Sequence, residues 1–213
     1  MLRSPQFLDD HFMGLISWYH EKYIHPRHEE RLASVLCSAM PANSRVLDVG
    51  AGDGRLDKQL LERRPDITIA GLDVLIRPWT AIPVQPFDGA HIPFPDQAWD
   101  VVMLVDVLHH TGGALSVLKE AARVGRSIIV KDHLDEGLAS NLTLRFMDYI
   151  GNARHGVALP YDYWSRDEWQ SAFRELGMEP AVWHERLGLY PVPLTFWFDR
   201  SLHFVTRLEA SRG

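Results

Sequence analysis

The chain has one cysteine among its 213 residues, so no disulfide can form within it. Cys37 falls in an apolar helical pattern, which suits a buried, inert thiol better than a nucleophile. Long apolar runs are missing too. The longest, Val101-Val102-Met103-Leu104-Val105, has five residues, against the ~20 that a membrane span requires. The first 20 residues contain Asp9 and Asp10 and no continuous apolar stretch, so they do not read as a signal peptide. A basic excess is absent: 22 Lys and Arg face 28 Asp and Glu, a net charge of -6. With no Lys/Arg-rich arm, that argues against a nucleic-acid footprint. No internal repeat or low-complexity tract occurs. What is present is ordinary for a globular protein, 46% hydrophobic and 23% charged. At ~100–200 residues per domain, the expectation is a single cytoplasmic domain over residues 1–213.

Along the chain, Asp9 to Met40 has helical spacing broken near Pro26. This predicts a helical cap over residues 1–40. Strand-like and helical stretches then alternate. Arg45–Val49, Ile67–Leu72, Ile82–Phe87, Val101–Val105 and Ser127–Val130 read as strands, the third weakened by its prolines. Leu56–Arg64 and Ala114–Val124 read as helices. This order predicts an α/β fold with a parallel sheet between two helical layers. Leu134–Trp164 is long for a connection and holds a helical stretch near Leu142–Ile150. With Gly137, Gly151 and Gly156 as hinges it suits a lid over a site, and equally an excursion capping the sheet. Ser165 and Glu168 form a capping-box pattern for a helix that ends at Gly177. Ala181–Leu187 and His203–Leu208 follow as strands with no helix between them, which predicts an antiparallel pair.

The most informative stretch is Asp48-Val49-Gly50-Ala51-Gly52-Asp53-Gly54, a strand end, a glycine turn and a helix start. Glycines let a ligand approach the backbone, and the helix start offers unpaired N–H groups. The glycines at 50, 52 and 54 miss the G-x-G-x-x-G dinucleotide spacing, and the Gly-Lys-Ser/Thr of a phosphate loop is absent. The acidic Asp48 opposes a pyrophosphate and suits a ligand with an ammonium group. S-adenosylmethionine is such a ligand. The same glycines also suit a turn that merely joins strand to helix.

The chain resembles the class I S-adenosylmethionine-dependent methyltransferases, in particular the ubiquinone/menaquinone-methylase-like small-molecule enzymes. The resemblance rests on Asp48–Gly54, Gly71-Leu72-Asp73, Phe87-Asp88-Gly89-Ala90-His91-Ile92-Pro93-Phe94, Trp99-Asp100-Val101-Val102 and Val107-Leu108-His109-His110, in that order. It implies a three-layer Rossmann-like sandwich with seven strands in the order 3-2-1-4-5-7-6, the last antiparallel. It implies donor binding by Asp48, Gly50, Ala51, Gly52, Gly54, Asp73, Val74, Asp88, Gly89, Val105 and Asp106, with S-adenosyl-L-homocysteine as product. Asp73 would take the ribose hydroxyls, as an acid at a second strand end does in other nucleotide folds. Asp88 would take the adenine amino group, and Val105 and Asp106 would meet the methionine part. Asp73 also suits a solvated loop, and Asp88 before Gly89 suits a plain turn. The glycine-rich turn common in the family before strand five is shortened here to Val124-Gly125-Arg126.

Methyl transfer from a sulfonium needs a positioned acceptor, and a base only if the acceptor loses a proton. His110 and His133 are the candidates, with His109, Lys131 and Asp132 nearby; each histidine also suits a purely structural role. His110, Asp132 and His133 are of metal-ligand type, but no spaced metal motif is present and no metal is assigned. Aromatics crowd the segments around the site: Phe12, Trp18, Tyr19, Tyr23, Phe146, Tyr149, Tyr161, Tyr163, Trp164, Phe196 and Trp197. They favour a small apolar or aromatic acceptor. A non-catalytic donor-binding protein and a nucleic-acid methyltransferase are the alternatives.

Overall fold

The computed structural model describes residues 25–152, 160–199 and 201–211. The expected cap up to residue 24, with Phe12, Trp18, Tyr19 and Tyr23, lies outside the described residues, as does Gly156.

The elements run α1 (His25–Ala39), β1 (Arg45–Val49), α2 (Arg55–Arg63), β2 (Thr68–Asp73), β3 (Val84–Pro86) and β4 (Trp99–Val105). A 3-10 turn at Leu108–His110 follows, then α3 (Ala114–Val124), β5 (Gly125–His133) and α4 (Ser140–Asn152). The chain continues through α5 (Arg166–Glu175), β6 (Met178–His184), α6 (Thr195–Phe198) and β7 (His203–Ala210). All seven strands join one sheet in the order β3-β2-β1-β4-β5-β7-β6. The pairs among β1 to β5 are parallel, and β7 runs antiparallel to both β5 and β6. The expected fold class is what the chain adopts.

Strand residues alternate between two cores, as a sheet covered on both faces requires. Leu47, Val49, Val102 and Leu104 pack with Val117 and Leu118 of α3 and Trp169 and Phe173 of α5. Val46, Val101 and Met103 pack on the other face with Leu32 and Leu36 of α1 and Leu60 of α2. The strand order reverses between β1 and β4, and such a switch point opens a crevice at the carboxyl ends of the strands.

Several boundaries differ from expectation, for identifiable reasons. β3 shrinks to three residues, bounded by Pro83 and closed by Pro86, which have no N–H for the ladder. β5 runs past Val130 because Lys131, Asp132 and His133 keep pairing with Val205, Phe204 and His203. It also begins directly at the end of α3: a Cβ on Gly125 would lie 2.7 Å from Val102, so the missing side chain lets the helix turn straight into the strand. β6 starts at Met178, after Gly177 at a φ of 66°, and its register shifts between Pro180 and Val182. The β6–β7 join holds the one-turn helix α6, where none was expected; its spacing is too short for a periodic signal. Cys37 is partly exposed, not buried. The capping box is present in full, with Ser165 accepting from the Glu168 amide and Glu168 accepting from Ser165.

Candidate active site

The glycine turn closes on the neighbouring strand. The amides of Gly50 and Ala51 both donate to the carbonyl of Leu72, at 2.8 and 3.0 Å. The glycines serve different ends. Gly50 has a φ of 93°, and a Cβ there would lie 2.2 Å from a Val107 methyl, so the protein itself forbids a side chain. Gly52 has a φ of 59°, and a Cβ there would meet nothing within 4 Å. Its bare face looks into open space, as a ligand cradle should. The Gly52 amide donates to Oδ2 of Asp73 at 2.7 Å, and the Leu75 amide to Oδ1 at 2.7 Å. A carboxylate offers about four acceptor positions, so both oxygens can still take a hydroxyl.

These groups border a cavity of about 310 Å³. Of the expected residues, Gly50, Gly52, Asp73, Val74 and Gly89 line it, with Asp106 and His110 at the β4 side. Phe87 and Val107, which open two of the family-like motifs, line it as well, as do Thr111 and Arg77, which no motif contained. Asp48, Ala51, Gly54, Asp88, Val105 and His133 are not in its wall. Oδ1 of Asp88 accepts from the amides of Ala90 and His91 at 2.8 and 2.7 Å. These amides hold its carboxyl below the usual range, and the side chain caps a turn.

Asp48 is buried beneath the glycine turn, next to Asp57 of α2, a fully buried acid that sequence reading missed. Burial, reinforced by the Asp57 charge, pushes the Asp48 carboxyl well above the usual range. Burial likewise pushes Asp57 up to about 6. Oδ1 of Asp48 and both carboxyl oxygens of Asp57 are buried, and the two side chains meet each other. The only sequence signal for Asp57 was its place in the first turn of a helix, where an acid is favoured anyway.

Behind the β4 side of the cavity lies a buried polar cluster. Asp106, at a φ of 54°, takes the Lys131 ammonium on both carboxylate oxygens, at 2.5 and 2.6 Å. Asp132 accepts from the ring of His109 at 2.6 Å, from the His133 amide at 2.8 Å and from the Leu108 amide at 3.1 Å. Nε2 of His109 lies 3.5 Å from Asp148 of α4, and the Tyr163 hydroxyl donates to Asp148 at 2.6 Å. Burial opposes charge on His109, but Asp132 and Asp148 outweigh it and raise the imidazole to about 10. Asp148 is driven down to about 2 against its own burial, by His109 first and then by His133 and Tyr163. His133 belongs to this cluster, while His110 reaches the cavity. Asp148 and Tyr163 tie the Leu134–Trp164 insertion to the strand ends. Asp148 sits among ordinary helix residues, so nothing in the sequence marked it.

The sheet order and the glycine turn facing an acid at the next strand tip define an α/β fold of the methyltransferase class. A family model described as a methyltransferase domain matches residues 19–182, and the chain belongs to that family of S-adenosylmethionine-dependent methyltransferases. The chain is 27% identical over 171 residues to 27-O-demethylrifamycin SV methyltransferase of Amycolatopsis mediterranei (strain S699). That match covers 71% of this chain and 59% of the relative, so the chain spans about three fifths of that enzyme's length. Among solved structures, a chain of the complex between the Haloferax volcanii Trm112 methyltransferase activator and a methyltransferase superposes with a TM-score of 0.63 at 17% identity. It covers 92% of this chain and 94% of that one. An S-adenosylmethionine-dependent methyltransferase from Mesorhizobium loti superposes with a TM-score of 0.59 at 13% identity, covering 82% and 95%. The site suits the donor that the family implies: the uncovered face of Gly52 admits a ligand, and the clamped Asp73 carboxylate fits an uncharged ribose better than a phosphate. Among the described residues no helix is long and apolar enough to cross a membrane.

Proposed function

We propose that the protein transfers the methyl group of S-adenosylmethionine to a hydroxyl of a small apolar or aromatic acceptor. The observation that supports this best is the pairing of Gly52, open on its ligand side, with Asp73, whose carboxylate is aimed by two amides. In this reading Asp73 receives the ribose hydroxyls. Val74 and Gly89 border the adenine, Asp88 holds the turn that carries Gly89, and Gly50, Ala51, Gly52 and Gly54 shape the turn under the amino-acid end. Asp48 acts from beneath that turn. Asp106 flanks the methionine chain, with Val105 behind it.

The bound sulfonium supplies the activated carbon. The chain's own task is to hold the acceptor oxygen in line and to keep water out. His110 lines the cavity and takes the hydroxyl proton as the O–CH3 bond forms and the sulfonium C–S bond breaks, while His133 acts behind it, within the buried cluster. Phe87 and Val107 give the wall the apolar character that an aromatic or aliphatic acceptor requires. The hydroxyl acceptor is favoured by the Amycolatopsis relative, whose name specifies an O-methylation, and the net charge of -6 disfavours a nucleic acid.

The test is a thermal melt with S-adenosylhomocysteine, which should raise stability by mass action where NAD does not. An acceptor panel with radiolabelled donor follows. Donor binding without turnover of any hydroxylated aromatic or aliphatic compound would point instead to a non-catalytic binding protein.

A further inference from the structure

The geometry points to a divalent transition-metal site, of the kind zinc occupies, formed by His109, Asp132 and His133 and closed on the cavity side by Asp106. One ligand atom from each of the four lies within 4.8 Å of every other. The Nδ1 atoms of His109 and His133 are 3.3 Å apart. Nδ1 of His133 is 3.4 Å from Oδ1 of Asp132 and 3.8 Å from Oδ1 of Asp106. Zinc bonds of about 2.0–2.1 Å in a tetrahedron separate neighbouring ligand atoms by about 3.3–3.4 Å. The 2.6 Å between His109 and Asp132 must open, and the 3.8 Å between His133 and Asp106 must close.

Two further observations are independent of those distances. The first is the outer ring of contacts. A metal-bound histidine normally turns its second nitrogen to a carboxylate, and a bound carboxylate is itself hydrogen-bonded. Nε2 of His109 faces Asp148, which Tyr163 holds in place, and Asp132 is aimed by the amides of Leu108 and His133. The second is charge. Asp106, Asp132 and Asp148 bring three negative charges, and Lys131, bonded to Asp106, returns one. With His109 neutral, as a metal ligand must be, one divalent ion balances the remainder. Two imidazoles with carboxylates select zinc and its first-row neighbours over magnesium or calcium. Because neither His109 nor Asp132 lines the cavity, the ion's part is to clamp the 3-10 turn and β5 together, with Asp148 carrying the clamp to α4.

The experiment uses the full chain, stripped with a chelator and desalted, then titrated with Zn²⁺ by calorimetry, with Co²⁺ in a parallel absorption experiment. The expected result is one Zn²⁺ per chain, a rise in melting temperature, and visible Co²⁺ bands of a four-coordinate site. Asp132→Asn and His133→Ala should abolish both, and Asp148→Asn should weaken Zn²⁺ binding about 10- to 100-fold. Near-UV circular dichroism shows whether each variant keeps its fold. The proposal is overturned if the folded wild-type chain takes up no Zn²⁺, or if uptake is unchanged in folded Asp132→Asn. Methyl transfer is not read, so a negative result here leaves the donor-site reading standing.

Discussion

The amide of Gly52 donates to Asp73 at 2.7 Å, and this contact makes one unit of a turn after β1 and an acid at the tip of β2. The two residues are 21 positions apart in sequence, and only parallel pairing of β1 with β2 brings them together. In the same stroke it aims the carboxylate and fixes the open face of the turn.

Replacing Asp73 should therefore act on the donor more than on the fold. Asp73→Ala should weaken S-adenosylhomocysteine binding by about 1.5–3 kcal/mol, the range for hydrogen bonds to a charged group. Calorimetry would check this, and unchanged affinity would remove Asp73 from the site.

Gly50 and Gly52 should separate folding from binding. Gly50→Ala drives a methyl into Val107, so it should cost about 2 kcal/mol or more in stability, through overpacking and strain together. Gly52→Ala adds its methyl to open space and should cost only about 1–2 kcal/mol for the left-handed backbone. Its donor affinity should nevertheless fall steeply. Urea denaturation beside calorimetry would show the contrast, and equal effects on both readouts would refute it.

The acid pair under the turn predicts a pH dependence. Asp57 titrates near 6 when folded, above its ordinary value, so its favourable contribution is present in acid and is lost as pH rises through about 6. Asp57→Asn should gain on the wild type as pH climbs from 4 to 7, by about 2–3 kcal/mol in total. The difference between the two unfolding free energies, followed across that range, gives the answer; a flat difference would mean that Asp57 ionises as it does in the unfolded chain.

Tyr163 should matter for the insertion. Its hydroxyl meets the buried carboxylate of Asp148 at 2.6 Å. Tyr163→Phe should cost about 1.5–3 kcal/mol, since one partner of a charged hydrogen bond is lost. Hydrogen exchange should rise first within Ser140–Asn152, before the sheet is affected. Uniform loss of protection across the chain would contradict that order.

Local chemistry made much of this molecule legible. Ser165 and Glu168 announced α5, since a capping box depends on residues three apart. Apolar Val101–Val105 announced β4, since a strand buried on both faces has no polar alternation to blur it. The glycine turn was legible for the same reason: Gly50 and Gly52 hold backbone angles that other residues adopt only at a cost. The turn, the Asp73 position and the strand sequence together carried the family.

Contacts between distant elements were not legible. Asp57 and Asp148 read as ordinary helix acids, because burial depends on what packs against a helix and not on its own spacing. Lys131-Asp132-His133 fell beyond the expected strand end at Val130, because the partners that make those side chains tolerable in a sheet lie on β7, on the 3-10 turn and after β4. Sequence order determined which elements form and where the glycine turn lies, because those depend on neighbours a few residues apart. Which histidine meets the cavity, and which are locked behind it, was settled only when β4, β5 and the insertion met in space. The energy of a buried charge is set by groups brought close in three dimensions, and their separation along the chain does not reveal it.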